Sequence, residues 1–150
     1  MDIEPRVALI KLIPALAQRY IEESNDISGE ILSSISKIGE YFKAKYIGVT
    51  SETVYLLLLD NKFKLISCVK MHEGSVNSAA ITPRKLVETA MEKKASMAVL
   101  AHNHPSGLPI PSPDDLITTN LIRNAFDTVG ITLLAHILVA GDRYTNVLKG

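Results

Sequence analysis

The densest chemistry in the chain lies in one stretch, Ala101-His102-Asn103-His104-Pro105-Ser106-Gly107-Leu108-Pro109-Ile110-Pro111-Ser112-Pro113-Asp114-Asp115. Two of the chain's four histidines stand there two residues apart. In an extended backbone, positions i and i+2 project to the same side, so His102 and His104 can offer both imidazoles to one ion. A third ligand must come from elsewhere, and Asp115 is well placed. Ser112 followed by Pro113 reads as a helix N-cap and first helical residue, which puts Asp115 in the first turn. Two imidazoles and one carboxylate leave a fourth position open, the arrangement of a catalytic zinc site rather than a closed structural one. Zinc in such a site brings the pKa of water down to about 7. The chemistry then needs a general base and a donor for the developing oxyanion. Each half of the pattern has a plainer use: Ser112-x-x-Asp115 is a helix-capping signature, and H-x-H alone is a weak signal. The combination, in a loop after a buried strand, points to a metal.

Other zinc chemistries are excluded by what is missing. Nucleobase deaminases need H-x-E with P-C-x-x-C, and Cys68 is the only cysteine. It rules out an internal disulfide and a thiolate-rich zinc site, and reads as a small apolar strand residue. The H-E-x-x-H of thermolysin-like proteases is absent. Lys plus Arg and Asp plus Glu both number 16, so the formal net charge is zero, which weighs against a strong nucleic-acid footprint. Aromatic residues are sparse and do not interleave with basic ones, so base stacking has little support. Arg84-Lys85 and Lys93-Lys94 read as the solvated face of one helix. No signal-peptide pattern and no apolar run long enough for a membrane span is found, which makes a cytoplasmic protein the expectation.

The elements that must position these residues follow from hydrophobic periodicity. Val7, Ile10, Leu12, Ile13, Leu16 and Ala17 have rough helical spacing over residues 5–21, with Pro14 as a kink. Residues 22–28 form a polar connector. A second helical pattern runs from Ser28 to Ala44, with Ile31, Leu32, Ile35, Ile38, Tyr41 and Phe42 on one side. Residues 1–44 are therefore expected as an N-terminal helical segment, and 45–150 as the main domain. Val54 to Leu59 is a continuous apolar run, expected as a strand covered on both faces. Asp60 to Lys62 makes a turn and Phe63 to Val69 the returning strand. A helix over Pro83–Lys94, a strand over Ser96–Ala101, a helix over Pro113–Val129 stopped by Gly130, and strands over Ile131–Val139 and Tyr144–Leu148 complete the chain. Strands alternating with helices predict a mixed α/β sheet flanked by helices.

These residues resemble a known family. His102-x-His104-Pro105, six residues, then Ser112-x-x-Asp115 matches without a gap the JAMM signature of the JAB/MPN metalloproteases. The run from Ala101 to Gly107, Pro111-Ser112, Thr82-Pro83-Arg84 and Ser51-Glu52 ahead of the first buried strand resemble its bacterial RadC-like branch more narrowly. The resemblance covers about residues 45–148. It implies a mixed sheet flanked by helices, zinc held by His102, His104 and Asp115, Glu52 as general base, and Ser112 as a hydrogen-bond donor to the carbonyl or tetrahedral intermediate. Glu73, in Met71-His72-Glu73-Gly74, is the competing carboxylate, at a place where RadC-like chains do not regularly carry an acid. The activity implied is hydrolysis of a peptide or isopeptide amide in a protein substrate. The alternative is a weakly active or non-catalytic JAB-type module that binds a partner or DNA, in repair or mobile-element biology. The chain departs from the branch at Ala135-His136, where an Asp-His pair is usual. An Asp there would be suited to orienting a neighbouring imidazole; His136 itself reads as a core histidine or one that backs a ligand. A second departure is N-terminal: longer relatives carry a helix-hairpin-helix module with glycine-containing turns. Residues 1–44 instead hold two helical patterns and no clear G-x-G turn, and read as a remnant of that module or as a helical cap on the catalytic domain.

Overall fold

A computed structural model of the protein describes residues 30–74, 81–105 and 107–148. The helical pattern over residues 5–21, the connector after it and the start of the second helical pattern lie outside them. Helix α1 (Ile35–Lys45) begins seven residues later than its apolar spacing predicts. The cause is long-range competition for the backbone. Glu30 to Leu32 is extended and pairs with the end of the next hairpin turn, Leu65 N donating to Glu30 O at 2.7 Å and Leu32 N to Phe63 O at 2.9 Å. Ser34 then caps the helix by accepting from Lys37 N at 3.1 Å.

Strand β1 (Thr53–Leu59) is buried along its whole length, as its unbroken apolar run requires. The Asp60–Lys62 turn is held by the Asp60 carboxylate, which accepts from Lys62 N and Lys64 N at 2.8 and 3.0 Å. Those backbone N–H bonds are the main reason its carboxyl is held below the usual range. Phe63, at φ +63°, belongs to this turn, so β2 (Leu65–Glu73) starts and ends later than expected. Helix α2 (Pro83–Glu92), capped by Thr82, stops short of Lys94, whose φ is +57°. Strand β3 (Met97–Asn103) runs two residues past the expected end and takes His102 into the sheet. Helix α3 (Pro113–Thr128), then β4 (Thr132–Ala140) and β5 (Arg143–Asn146), complete the fold.

The five strands lie in the order β2-β1-β3-β4-β5, antiparallel except for the β3–β4 pair, which α3 connects. Strand alternation sorts the apolar residues onto two faces. Tyr55, Leu57, Val99, Ala101, Ile137 and Val139 meet Ile38, Tyr41 and Phe42 of α1. Leu56, Leu58, Ala98, Leu100 and Leu133 meet Leu86 and Ala90 of α2 and Ile122 and Phe126 of α3. The result is the expected mixed α/β sheet with helices on both faces. No described helix is long and apolar enough to cross a membrane.

Candidate metal centre

His102 is on the α2/α3 side of β3, the face it shares with Leu100 two residues earlier. His104 follows one residue past the strand, its N–H still bonded to Val139 O at 2.9 Å. The loop from Pro105 returns the chain to Ser112, and α3 starts beside the two imidazoles. A full capping box fixes that start: Ser112 Oγ accepts from Asp115 N at 3.0 Å, and Asp115 Oδ2 accepts from Ser112 N at 2.8 Å. The box holds the Asp115 carboxylate at the helix terminus, 3.5 Å (Oδ1) from His102 Nε2 and 3.8 Å (Oδ2) from His104 Nε2. One donor atom from each of the three residues lies within 4.8 Å of the others.

The donor set fits a zinc ion. Tetrahedral Zn–N and Zn–O bonds place ligand atoms about 3.3 Å apart, and the two imidazole–carboxylate separations, 3.5 and 3.8 Å, are slightly longer than that. His104 Nδ1 is 3.3 Å from Leu108 O and His102 Nδ1 is 2.6 Å from His136 Nε2, so each imidazole has a partner on Nδ1 and turns Nε2 toward Asp115. His102 Nε2 is buried, and among the described residues its polar neighbour is the Asp115 carboxylate at 3.5 Å, a long contact that leaves room for a cation to take its lone pair. The Asp115 carboxyl is suited to the same task. Burial works to raise its pKa, but the His102 imidazole and the Ser112 N–H hold it well below the usual carboxylate range.

Behind the ligands, His136 on β4 is 4% exposed and Thr119 on α3 is 2% exposed. Burial, reinforced by His102, pushes the His136 pKa down to about 3, against an opposing pull from Asp115. A cavity of about 290 Å³ opens over the three candidate ligands, with Glu52 on its rim and Val54 and Ile122 among its apolar walls. A larger, open cleft of about 550 Å³ beside Asn103 and Pro105 has only His104 of the candidate ligands in its lining.

Residues 32–149 match the RadC-like JAB domain pattern. The chain belongs to the RadC-like JAB domain family. Among its relatives are UPF0758 proteins of Photobacterium profundum, 36% identical over 137 residues (91% of this chain), and of Shewanella sp. strain ANA-3, 33% identical over 138 residues (92%). A UPF0758 protein of Pseudoalteromonas translucida is 33% identical over 133 residues (89%). The chain spans about 60% of the length of these curated relatives.

Within this RadC-like JAB domain, Glu52 stands exposed just before β1 and shares the cavity with His102, His104 and Asp115. Glu73 ends the edge strand β2, where its carboxylate pairs with Lys70 Nζ at 3.3 Å and does not line that cavity. Ser112 is exposed; with its oxygen accepting from Asp115 N, its O–H hydrogen remains available to donate.

Position 135 has a different meaning from the one its sequence neighbours imply. The Ala135 side chain is fully buried among the α1-side apolar residues, on the opposite face of β4 from His136. An acid there would face away from His102, so its absence leaves the three candidate ligands undisturbed. Sequence reasoning also passed over Asn103. Its side chain, 4% exposed, points away from the ligands, its Oδ1 accepting from Thr53 N at 2.7 Å and its Nδ2 donating to Ser51 O at 3.0 Å. One amide therefore clamps the backbone on both sides of Glu52. The signal was the alternation of β3, which sends the residue between two ligands to the other face.

Proposed function

We propose that this RadC-like JAB domain is a zinc-dependent hydrolase that cleaves an amide bond, in a peptide or isopeptide linkage of a protein substrate. The observation that carries the reading is the convergence of His102 Nε2, His104 Nε2 and the Asp115 carboxylate on one point beneath the cavity that Glu52 borders. His102, His104 and Asp115 would hold the ion. Zinc, when bound, supplies Lewis acidity and a water of lowered pKa. Glu52 takes the proton from the attacking water and returns it to the leaving amine. The Ser112 O–H donates to the scissile carbonyl oxygen as negative charge develops there.

Metal analysis and cleavage assays test the proposal together. The purified chain is expected to carry close to one equivalent of zinc, and His104→Ala close to none. Glu52→Gln is expected to keep its zinc while cleaving peptide and Lys-isopeptide panels about 10²–10⁴-fold more slowly. Equal metal content in wild type and His104→Ala would refute the site.

A further inference from the structure

We propose that His136 and Thr119 are positioning residues for the metal centre, joined in a hydrogen-bond relay that fixes the tautomer of His102 and ties it to the helix turn carrying Asp115. This rests on the metal-centre reading above and goes beyond it, because neither residue is a ligand and neither belongs to the signature.

The contacts form one continuous line. His102 Nδ1 lies 2.6 Å from His136 Nε2. His136 Nδ1 lies 2.6 Å from Thr119 Oγ1, and Thr119 Oγ1 lies 2.5 Å from the backbone O of Asp115. His136 and Thr119 are buried, so their polar atoms must satisfy one another.

The directions follow from the last member. A carbonyl oxygen only accepts, so the single hydroxyl hydrogen of Thr119 goes to Asp115 O. Thr119 Oγ1 must then accept from His136, which places the proton of that imidazole on Nδ1. A neutral imidazole carries one such proton, so His136 Nε2 is bare and accepts from His102 Nδ1–H. His102 Nε2 is left with a free lone pair, on the side facing Asp115. The backbone of one ligand thus sets the tautomer of another. The relay crosses from α3 to β4 to β3, three elements that meet only in the folded chain. Its bonds also restrain the His102 ring against rotation, as partners behind a ligating imidazole do.

The test compares metal-free and zinc-loaded forms of the whole chain. Nitrogen-15 NMR of the metal-free protein is expected to show His136 protonated on Nδ1 and not on Nε2. Thr119→Val keeps the shape of the side chain and removes the hydroxyl. By chelator competition it is expected to bind zinc about 10–100-fold more weakly than wild type, with Thr119→Ser within about threefold of wild type. Should Thr119→Val not fold, His136→Gln and His136→Leu repeat the comparison: the amide can accept from His102 and donate to Thr119, and the leucine can do neither. His136→Gln is expected to bind zinc more tightly than His136→Leu. An Nε2-protonated His136 overturns the relay, and so does a Thr119→Val affinity equal to wild type or a loss that Thr119→Ser shares. A wild-type chain that binds no zinc overturns the metal-centre reading instead, and the His136 tautomer still judges the relay.

Discussion

Asn103 stands between two candidate ligands and serves a third residue. Its amide bonds to Thr53 N and Ser51 O, so the position of Glu52 over the cavity depends on a side chain on the opposite face of β3. Asn103→Ala leaves a buried Thr53 N–H without its partner, which costs about 1–3 kcal/mol. The expected pattern is separable: zinc content stays at the wild-type level, while the rate of amide cleavage falls with that of Glu52→Gln. Metal analysis beside the cleavage assay reads both. Loss of zinc in Asn103→Ala would mean that the amide holds the ligands and not the base.

Between elements, α1 packs tightly on β5 at Gly39. A Cβ built on Gly39 would lie 2.2 Å from the Tyr144 ring, well inside any real contact. Glycine inside a helix ordinarily costs about 1 kcal/mol relative to alanine. Here the sign is expected to reverse. Gly39→Ala must push the Tyr144 ring or α1 itself, and overpacking of that kind costs about 1–3 kcal/mol. Urea midpoints should therefore fall in Gly39→Ala and recover in part in the Gly39→Ala, Tyr144→Ala pair. A stabilised Gly39→Ala would show that the ring moves aside freely. The start of α3 shows a second economy between elements. The capping box that any helix could use is the device that holds the Asp115 carboxylate next to His102.

Across the whole molecule, the sheet separates two tasks. The α1 face is mainly apolar; the α2/α3 face is apolar at one end and carries the candidate metal-centre residues at the other. Burying His136 in that second layer links stability to pH. Its folded pKa of about 3 lies below the ordinary histidine value of about 6.5. The unfolded chain therefore binds a proton that the folded chain refuses, and stability from this group is lost as pH falls from about 6.5 toward about 3. Asp115, lowered in the folded state, adds a loss in the same direction once pH drops below the ordinary carboxylate range. The metal-free protein is expected to lose up to about 1.4 kcal/mol per pH unit from His136, read as falling urea midpoints between pH 6.5 and 4.5. His136→Gln should flatten that dependence. An unchanged slope in the variant would show that His136 protonates freely in the folded state.

The sequence by itself determined the parts of this protein that depend on local spacing. The unbroken run of β1, the i, i+2 pair His102 and His104, and the Ser112-Pro113 start of α3 were legible because alternation, propensity and capping act within a few residues. The RadC-like likeness was legible for the same reason, since its signature is local. Only the tertiary structure decided which side of a strand each residue serves. Asn103 and Ala135 were misread or passed over because facing depends on what the neighbouring strands and helices cover. The later start of α1 was hidden likewise, since the pairing of Glu30–Leu32 with residues 63–65 joins distant parts of the chain. The His102–His136–Thr119 relay is the extreme case. Its members come from β3, β4 and α3, and no periodicity links them; the register of the parallel β3–β4 pair and the packing of α3 over it bring them together.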